Sequence, residues 1–184
     1  HGLMMVVAWL LLAPLGTLLA RYGMPGSQSN WYVWHRGSQV TAVLLTVAGI
    51  VIGLVKTEDE FATHFFSSHA SWGVAVGAMA LVQPLNAFIR PAKDASSRSA
   101  WKALHSCLGY ATLVCGVITC YLGSDEIGKL YRLKNGTDDK TGRNLRIGCL
   151  VLGGIWLVGL IVCEFTIGSR HAKANSGKVA KGPE

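Results

Sequence analysis

Charged residues are absent from long stretches of the chain. Five such stretches cover residues 2–20, 37–55, 61–89, 103–124 and 147–163. A helix of about 20 residues, at about 1.5 Å per residue, crosses a hydrocarbon core about 30 Å thick. The pattern therefore predicts an all-α membrane protein with five transmembrane helices.

The predicted helices extend a little beyond the charge-free stretches. Their expected bounds are about 1–22, 32–56, 61–90, 101–124 and 145–167. Together they would form one transmembrane domain over residues 1–168, followed by a basic tail over 169–184. Pro14 and Pro84 lie inside spans, where we expect kinks because packed neighbours can satisfy the freed carbonyls.

The composition agrees with a membrane protein. Charged residues make up 15% and apolar residues 51% of the chain, whereas a soluble domain carries about 25% charge. Despite the net charge of +7, this hydropathy excludes a disordered or nucleic-acid-binding arm. The scattered five cysteines imply no disulfide framework.

Lys and Arg are unevenly divided between the two sides of the predicted bundle. If the helices alternate in direction, the side that holds the C-terminus collects more of them, and the opposite side carries most of the acids. Positively charged loops resist translocation. We therefore expect an integral, multi-pass protein with a cytoplasmic C-terminus, in a membrane that the sequence does not identify.

Four of the six histidines mark the starts of the first four predicted helices: His1, His35, His69 and His105. Because neighbouring helices run in opposite directions, His1 shares one side of the membrane with His69, and His35 shares the other with His105. Ionisable groups at membrane depth are costly and usually functional. Two facing imidazoles can hold a six-coordinate haem, so we predict a di-haem bundle in which these pairs are the axial iron ligands.

The other two histidines differ. His64 points about 140° away from His69 on a helix, which indicates a rim or loop residue; a rival ligand or an electron-exit group is the alternative. His171 lies in the basic tail and receives no role.

Glycines provide a second indication, because a flat macrocycle can approach a helix only where side chains are missing. On helical geometry Gly116 and Gly123 lie within about 40° of the His105 direction, and Gly53 lies on the line of His35. They are candidate cofactor contacts. Ordinary packing of small residues between membrane helices explains the same pattern.

Three basic residues near the cytoplasmic helix ends, Arg21, Arg90 and Lys102, are also candidates for cofactor binding. They could pair with haem propionates or attract an anionic reductant. Anchoring of the helix ends by positive charge is an equal alternative.

The strings around the histidines resemble the cytochrome b561 domain. They are HGLMMVVAW at the start, Trp34-His35, SSHASWG before Gln83-Pro84, and WKALHSCLGY, so the likeness covers about residues 1–124. The initial HG and the stretch 88–91 resemble the ferric-chelate-reductase-like branch, in which an extracellular DOMON domain precedes the membrane part. We accordingly interpret the chain as an excised or processed piece.

The resemblance implies an oxidoreductase with two b-type haems, carrying electrons from a cytosolic donor to an extracellular or lumenal acceptor. In that family ascorbate is a frequent donor, monodehydroascorbate and ferric chelates are acceptors, and homodimers occur. The residues before His35 include none of the lysines that ascorbate-using members carry there. Lys102 and Arg98 remain as candidate anion contacts ahead of His105.

Two alternatives come from other classes of protein. A transition-metal carrier would use the intramembrane histidines as transient ligands, and it predicts acids or thiols along a polar path. A haem-free anchor for an upstream ectodomain predicts a colourless protein.

Overall fold

The computed structural model describes residues 1–23, 30–55, 67–136 and 140–168, and every regular element within them is helical. The helices are α1 (Gly2–Tyr22), α2 (Trp31–Val55), α3 (Ser68–Phe88), α4 (Arg98–Asn135) and α5 (Lys140–Cys163, continued by the π-helical turn Glu164–Gly168). In this described part, the four helices α1, α2, α4 and α5 are long and apolar enough to cross a membrane. Helix α3 has 21 residues, none of them charged. The predicted all-α membrane architecture is confirmed.

Helix α1 contains π-helical turns over Val7–Leu12, directly before Pro14. A proline inside a helix has no N–H and leaves the carbonyl four residues earlier without its usual donor. Here that carbonyl belongs to Leu10, and the Trp156 indole Nε1–H of α5 donates to it at 2.6 Å. A neighbouring helix therefore satisfies the freed group, as we expected.

Helix α3 begins at Ser68 instead of the predicted residue 61. Ser67 is extended, with φ −76° and ψ 143°, and its hydroxyl accepts a hydrogen bond from the Ala70 N–H at 3.1 Å. This is a serine N-cap. His64 and the acidic residues 58–60 lie outside the described residues.

Helix α4 continues to Asn135, beyond residue 124 where the predicted helix ended. Lys129 pairs with Asp125 at 3.1 Å and with Glu126 at 3.0 Å on the same helical face, which supports the helix. Gly136 then ends it in the left-handed conformation, with φ 62°. Its 38 residues span about 57 Å, so α4 projects well beyond a hydrocarbon core.

Small residues and one tryptophan form the centre of the bundle. The buried cluster holds Ala8, Trp9, Ala13, Ala42, Val76 and Ala80. Large apolar side chains instead face outwards, as Leu44 and Leu150 do, each 63% exposed. Such an exposed apolar surface is expected where lipid takes the place of water.

Candidate functional site

The structure brings the two predicted histidine pairs together. The ring centroids of His1 and His69 lie 5.8 Å apart, with ring planes at 84°. Those of His35 and His105 lie 6.5 Å apart, with ring planes at 81°. Each pair joins a residue of the α1–α2 hairpin to one of the α3–α4 hairpin.

These distances suit two axial ligands of one metal. Two imidazoles on opposite sides of an ion, each about 2 Å from it through nitrogen, have ring centroids about 6 Å apart. Haem iron needs only such axial ligands from the protein, whereas a bare structural zinc takes four. Within residues 1–23, 30–55, 67–136 and 140–168, no three His, Cys, Asp or Glu side chains form a chelating group. A pair of imidazoles is thus a donor set that fits haem.

Main-chain carbonyls orient three of the four imidazoles. Nδ1 of His1 lies 2.8 Å from the Gly49 carbonyl oxygen, and Nδ1 of His35 lies 2.8 Å from that of Gly16. Nδ1 of His69 lies 3.1 Å from the Thr119 carbonyl oxygen. For each contact to be a hydrogen bond, Nδ1 must carry the proton. The unprotonated Nε2 is then the ligand atom, because the bond at one ring nitrogen fixes the role of the other.

His105 is held differently. Its Nδ1 is buried and has no hydrogen-bond partner among the residues that the structure describes. The ring instead stacks on Trp101, with centroids 5.1 Å apart and planes at 7°, and the Trp101 indole donates to the Asn86 carbonyl at 3.0 Å. The four-residue spacing of WKALH is the signal in the sequence that could have revealed this stack.

Two of the three glycines that were predicted to contact the cofactor lie against histidine rings. A Cβ on Gly123 would lie 2.8 Å from Cε1 of His69, and a Cβ on Gly53 would lie 3.3 Å from Nδ1 of His1. At Gly116 a Cβ would overlap the indole of Trp9. The groove at Gly116 therefore accommodates a buried tryptophan.

Cations and aromatic rings surround the His35/His105 pair. The Arg90 guanidinium lies 5.3 Å from the Tyr32 ring centroid and 5.8 Å from that of Trp101. Arg98 lies 5.1 Å from the Trp101 centroid, and Arg36 lies 5.6 Å from that of Tyr32. These are cation–π distances. We call Arg36, Arg90 and Arg98 the cationic rim; Lys102 is exposed on α4 beside it.

Arg21 contacts α5. Its guanidinium pairs with Glu164 at 3.0 Å, and the Tyr22 hydroxyl donates to the same carboxylate at 2.8 Å. This cluster links α1 to α5 near the end of each helix. The predicted contact of Arg21 with a propionate stays a prediction.

A pocket of about 410 Å³ adjoins the His1/His69 pair. Its lining consists of Ser67, Ser68, His69, Leu122, Asp125, Glu126 and Lys129. Arg146 of α5 pairs with Asp125 at 2.7 Å. The pattern of residues did not predict this pocket, because the predicted helix ended at residue 124, before the lining residues Asp125, Glu126 and Lys129.

The fold and the paired imidazoles together define a helical membrane protein with two pairs of facing histidine rings. Comparison with known proteins supplies the family: the sequence profile described as "Eukaryotic cytochrome b561" matches residues 1–128. The chain belongs to the cytochrome b561 family, which confirms the resemblance. It is therefore an integral membrane protein of a family that binds haem b and transports electrons.

Individual relatives carry further domains. A "Cytochrome b561, DM13 and DOMON domain-containing protein" of Arabidopsis thaliana is 32% identical over 157 residues, covering 82% of this chain and 16% of that protein. An Arabidopsis "Cytochrome b561 and DOMON domain-containing protein" is 30% identical over 125 residues, covering 68% of this chain and 31% of that protein. "Putative ferric-chelate reductase 1" of Xenopus laevis is 28% identical over 136 residues, covering 68% of this chain and 22% of that protein. The chain spans less than a third of the length of each of these three relatives.

Proposed function

We propose that this chain binds two b-type haems and carries single electrons across the membrane. His1 and His69 would hold one haem, and His35 and His105 the other. Bound there, haem supplies a reversible one-electron iron couple. The observation that carries the proposal is the pair of facing imidazoles at each end of the bundle, 5.8 Å and 6.5 Å apart.

The surrounding residues support this function in three ways. The Nδ1 contacts to main-chain carbonyls fix ring orientation, which strengthens imidazole as a ligand. The buried cluster around Trp9 excludes water between the pairs. The Gly16 carbonyl that His35 contacts is 15 residues along the chain from His1, so the two pairs lie about 20 Å apart along the bundle.

Charge favours a direction of transfer. The cationic rim and Lys102 would attract an anionic donor to the His35/His105 end, which we place in the cytoplasm together with the C-terminus. Ascorbate is a donor of this kind. The pocket beside His69 would receive the acceptor on the other side.

Two acceptors suit this arrangement, a ferric chelate and monodehydroascorbate. The name of the Xenopus relative supports the ferric chelate. The names of the Arabidopsis relatives support a DOMON-like domain in the whole protein, and we propose that it lies upstream of His1. A homodimer in the lipid bilayer is the proposed assembly.

The optical spectrum of the purified protein tests the proposal. Reduction with dithionite should give a sharp b-type alpha band, with about two haems per chain. His69→Ala should lose one haem and keep the other, whereas His171→Ala, a control in the tail, should keep both. A colourless protein would indicate the anchor function, and bound zinc or copper in place of haem would indicate the metal carrier.

A further inference from the structure

The hydrogen bonds that orient the imidazoles follow one register along the chain. Gly16 lies 15 residues after His1, and Gly49 lies 14 residues after His35. Thr119 likewise lies 14 residues after His105. Each of these three helices thus has a histidine near its N-terminal end and, about four turns later, presents a carbonyl to the histidine of the antiparallel helix beside it.

Helix α3 supplies the fourth member of this series. The residue 14 positions after His69 is Gln83, on the helix that pairs with the one carrying His105. It differs from the other three acceptor residues because Pro84 follows it, and the residue before a proline is sterically restricted. At this position the main-chain carbonyl does not accept from the imidazole, and the Gln83 side chain reaches the same residue instead.

Gln83 already contacts His105. Its Nε2 donates to the His105 carbonyl at 3.3 Å, and a Cβ on Gly109, one turn later in α4, would lie 3.3 Å from the same Nε2. The amide is therefore wedged against the helical turn that carries His105. Within the described part of the chain, Gln83 Oε1 and His105 Nδ1 are both buried and without partners.

These two atoms are complementary. Oε1 of Gln83 is an acceptor, and Nδ1 of His105 is a donor when Nε2 is the ligand atom. Buried polar groups are almost always paired. A hydrogen bond between them would pair an unpaired acceptor with an unpaired donor, and Oε1 has no other contact to lose.

We propose, on the basis of the function proposed above, that Gln83 is the positioning residue of His105. Its side-chain oxygen accepts from Nδ1–H, which the main chain does for the other three histidines. A bonded N–H makes imidazole a more basic ligand, and a more basic ligand favours ferric iron. Gln83 therefore lowers the reduction potential of the His35/His105 haem alone.

The test compares Gln83→Met, which has similar volume but only a weakly accepting sulfur, with Gln83→Glu, a stronger acceptor. Midpoint potentials of both haems are measured by spectroelectrochemical titration of the holoprotein. The haem that survives in His69→Ala identifies the His35/His105 signal. Gln39→Met is the matched control, since the Gln39 amide on α2 donates to the Ala13 carbonyl at 2.9 Å.

Gln83→Met should raise the potential of the His35/His105 haem, and Gln83→Glu should lower it. We expect at least a tenfold change in the reduction equilibrium, which is about 59 mV for one electron. The His1/His69 haem is the internal reference and should not move, nor should either haem in the control. Loss of the haem in Gln83→Met with retention in Gln83→Glu would also support the proposal, because Glu keeps the acceptor.

Three results would overturn it: no shift, shifts of the same sign in both Gln83 variants, or loss of the haem from both. Asn86 is the competing residue, because its amide is also buried without a partner among the described residues. If Asn86→Leu shifts the potential of the His35/His105 haem and Gln83→Met leaves it unchanged, the positioning role belongs to Asn86. A wild-type protein without two haems would instead refute the proposed function.

Discussion

At the His1/His69 end both imidazoles contact main-chain carbonyls through Nδ1, whereas at the His35/His105 end only His35 does so. The rims differ as well. The first end adjoins a pocket with carboxylates and Lys129, and the second carries three arginines against aromatic rings.

This difference separates two ways of holding a ligand. A ring that is oriented by main-chain carbonyls depends on helix register, which one side-chain substitution rarely alters. A ring that is oriented by Gln83 and Trp101 depends on side chains, so its chemistry can be changed one residue at a time. The His35/His105 end should therefore be the more adjustable of the two.

The largest expected effect is a loss of haem affinity at the His1/His69 end, caused by steric overlap. In Gly123→Val the new side chain would overlap the His69 ring, since a Cβ alone would lie 2.8 Å from it. Overpacking costs about 1–3 kcal/mol, or roughly fivefold to a hundredfold in haem affinity. Haem titration of Gly123→Val should show one weakened site. Gly154→Val is the control, because a Cβ there meets nothing within 4 Å; equal weakening in both would contradict the steric explanation.

A smaller effect tests the charge difference between the ends. Arg90→Gln should slow reduction by an anionic donor by about threefold to tenfold at low salt, because the rim attracts the donor electrostatically. High salt should abolish the difference through screening. Stopped-flow reduction measures both. Lys134→Gln removes the same charge from the far end of α4 and should leave the rate unchanged; an equal slowing there would show that only net charge matters.

The smallest effect concerns the ion pairs that join α5 to each end. Arg146, whose side chain is 23% exposed, pairs with Asp125, whereas Arg21 and Glu164 are each 52% exposed. Arg146→Gln should lower the free energy of unfolding by about 0.5–1 kcal/mol, and Arg21→Gln by less. Thermal unfolding in detergent, followed by circular dichroism, measures the two losses. A greater loss of stability in Arg21→Gln than in Arg146→Gln would contradict the expectation that the less exposed ion pair contributes more.

The register of contacts between helices was not predictable from the pattern of residues. Hydrophobic runs indicate that a helix spans the membrane, but they do not fix its rotation or its height against a neighbour. The acceptors Gly49 and Thr119 and the Trp156 bond to the Leu10 carbonyl depend on both. The extension of α4 to Asn135 was missed for another reason, because charged residues form helices outside the membrane when i,i+4 pairs support them.

The all-helical membrane class and the expected pairing of the four histidines follow from the order of residues, because charge-free runs and alternating helix direction are properties of the chain. The packing of the folded helices shows which atoms orient each imidazole, that Trp9 fills the Gly116 groove, and that Arg21 pairs with Glu164. Those contacts join residues far apart in sequence. Packing of small residues at the bundle centre sets them, through the rotation and height of each helix.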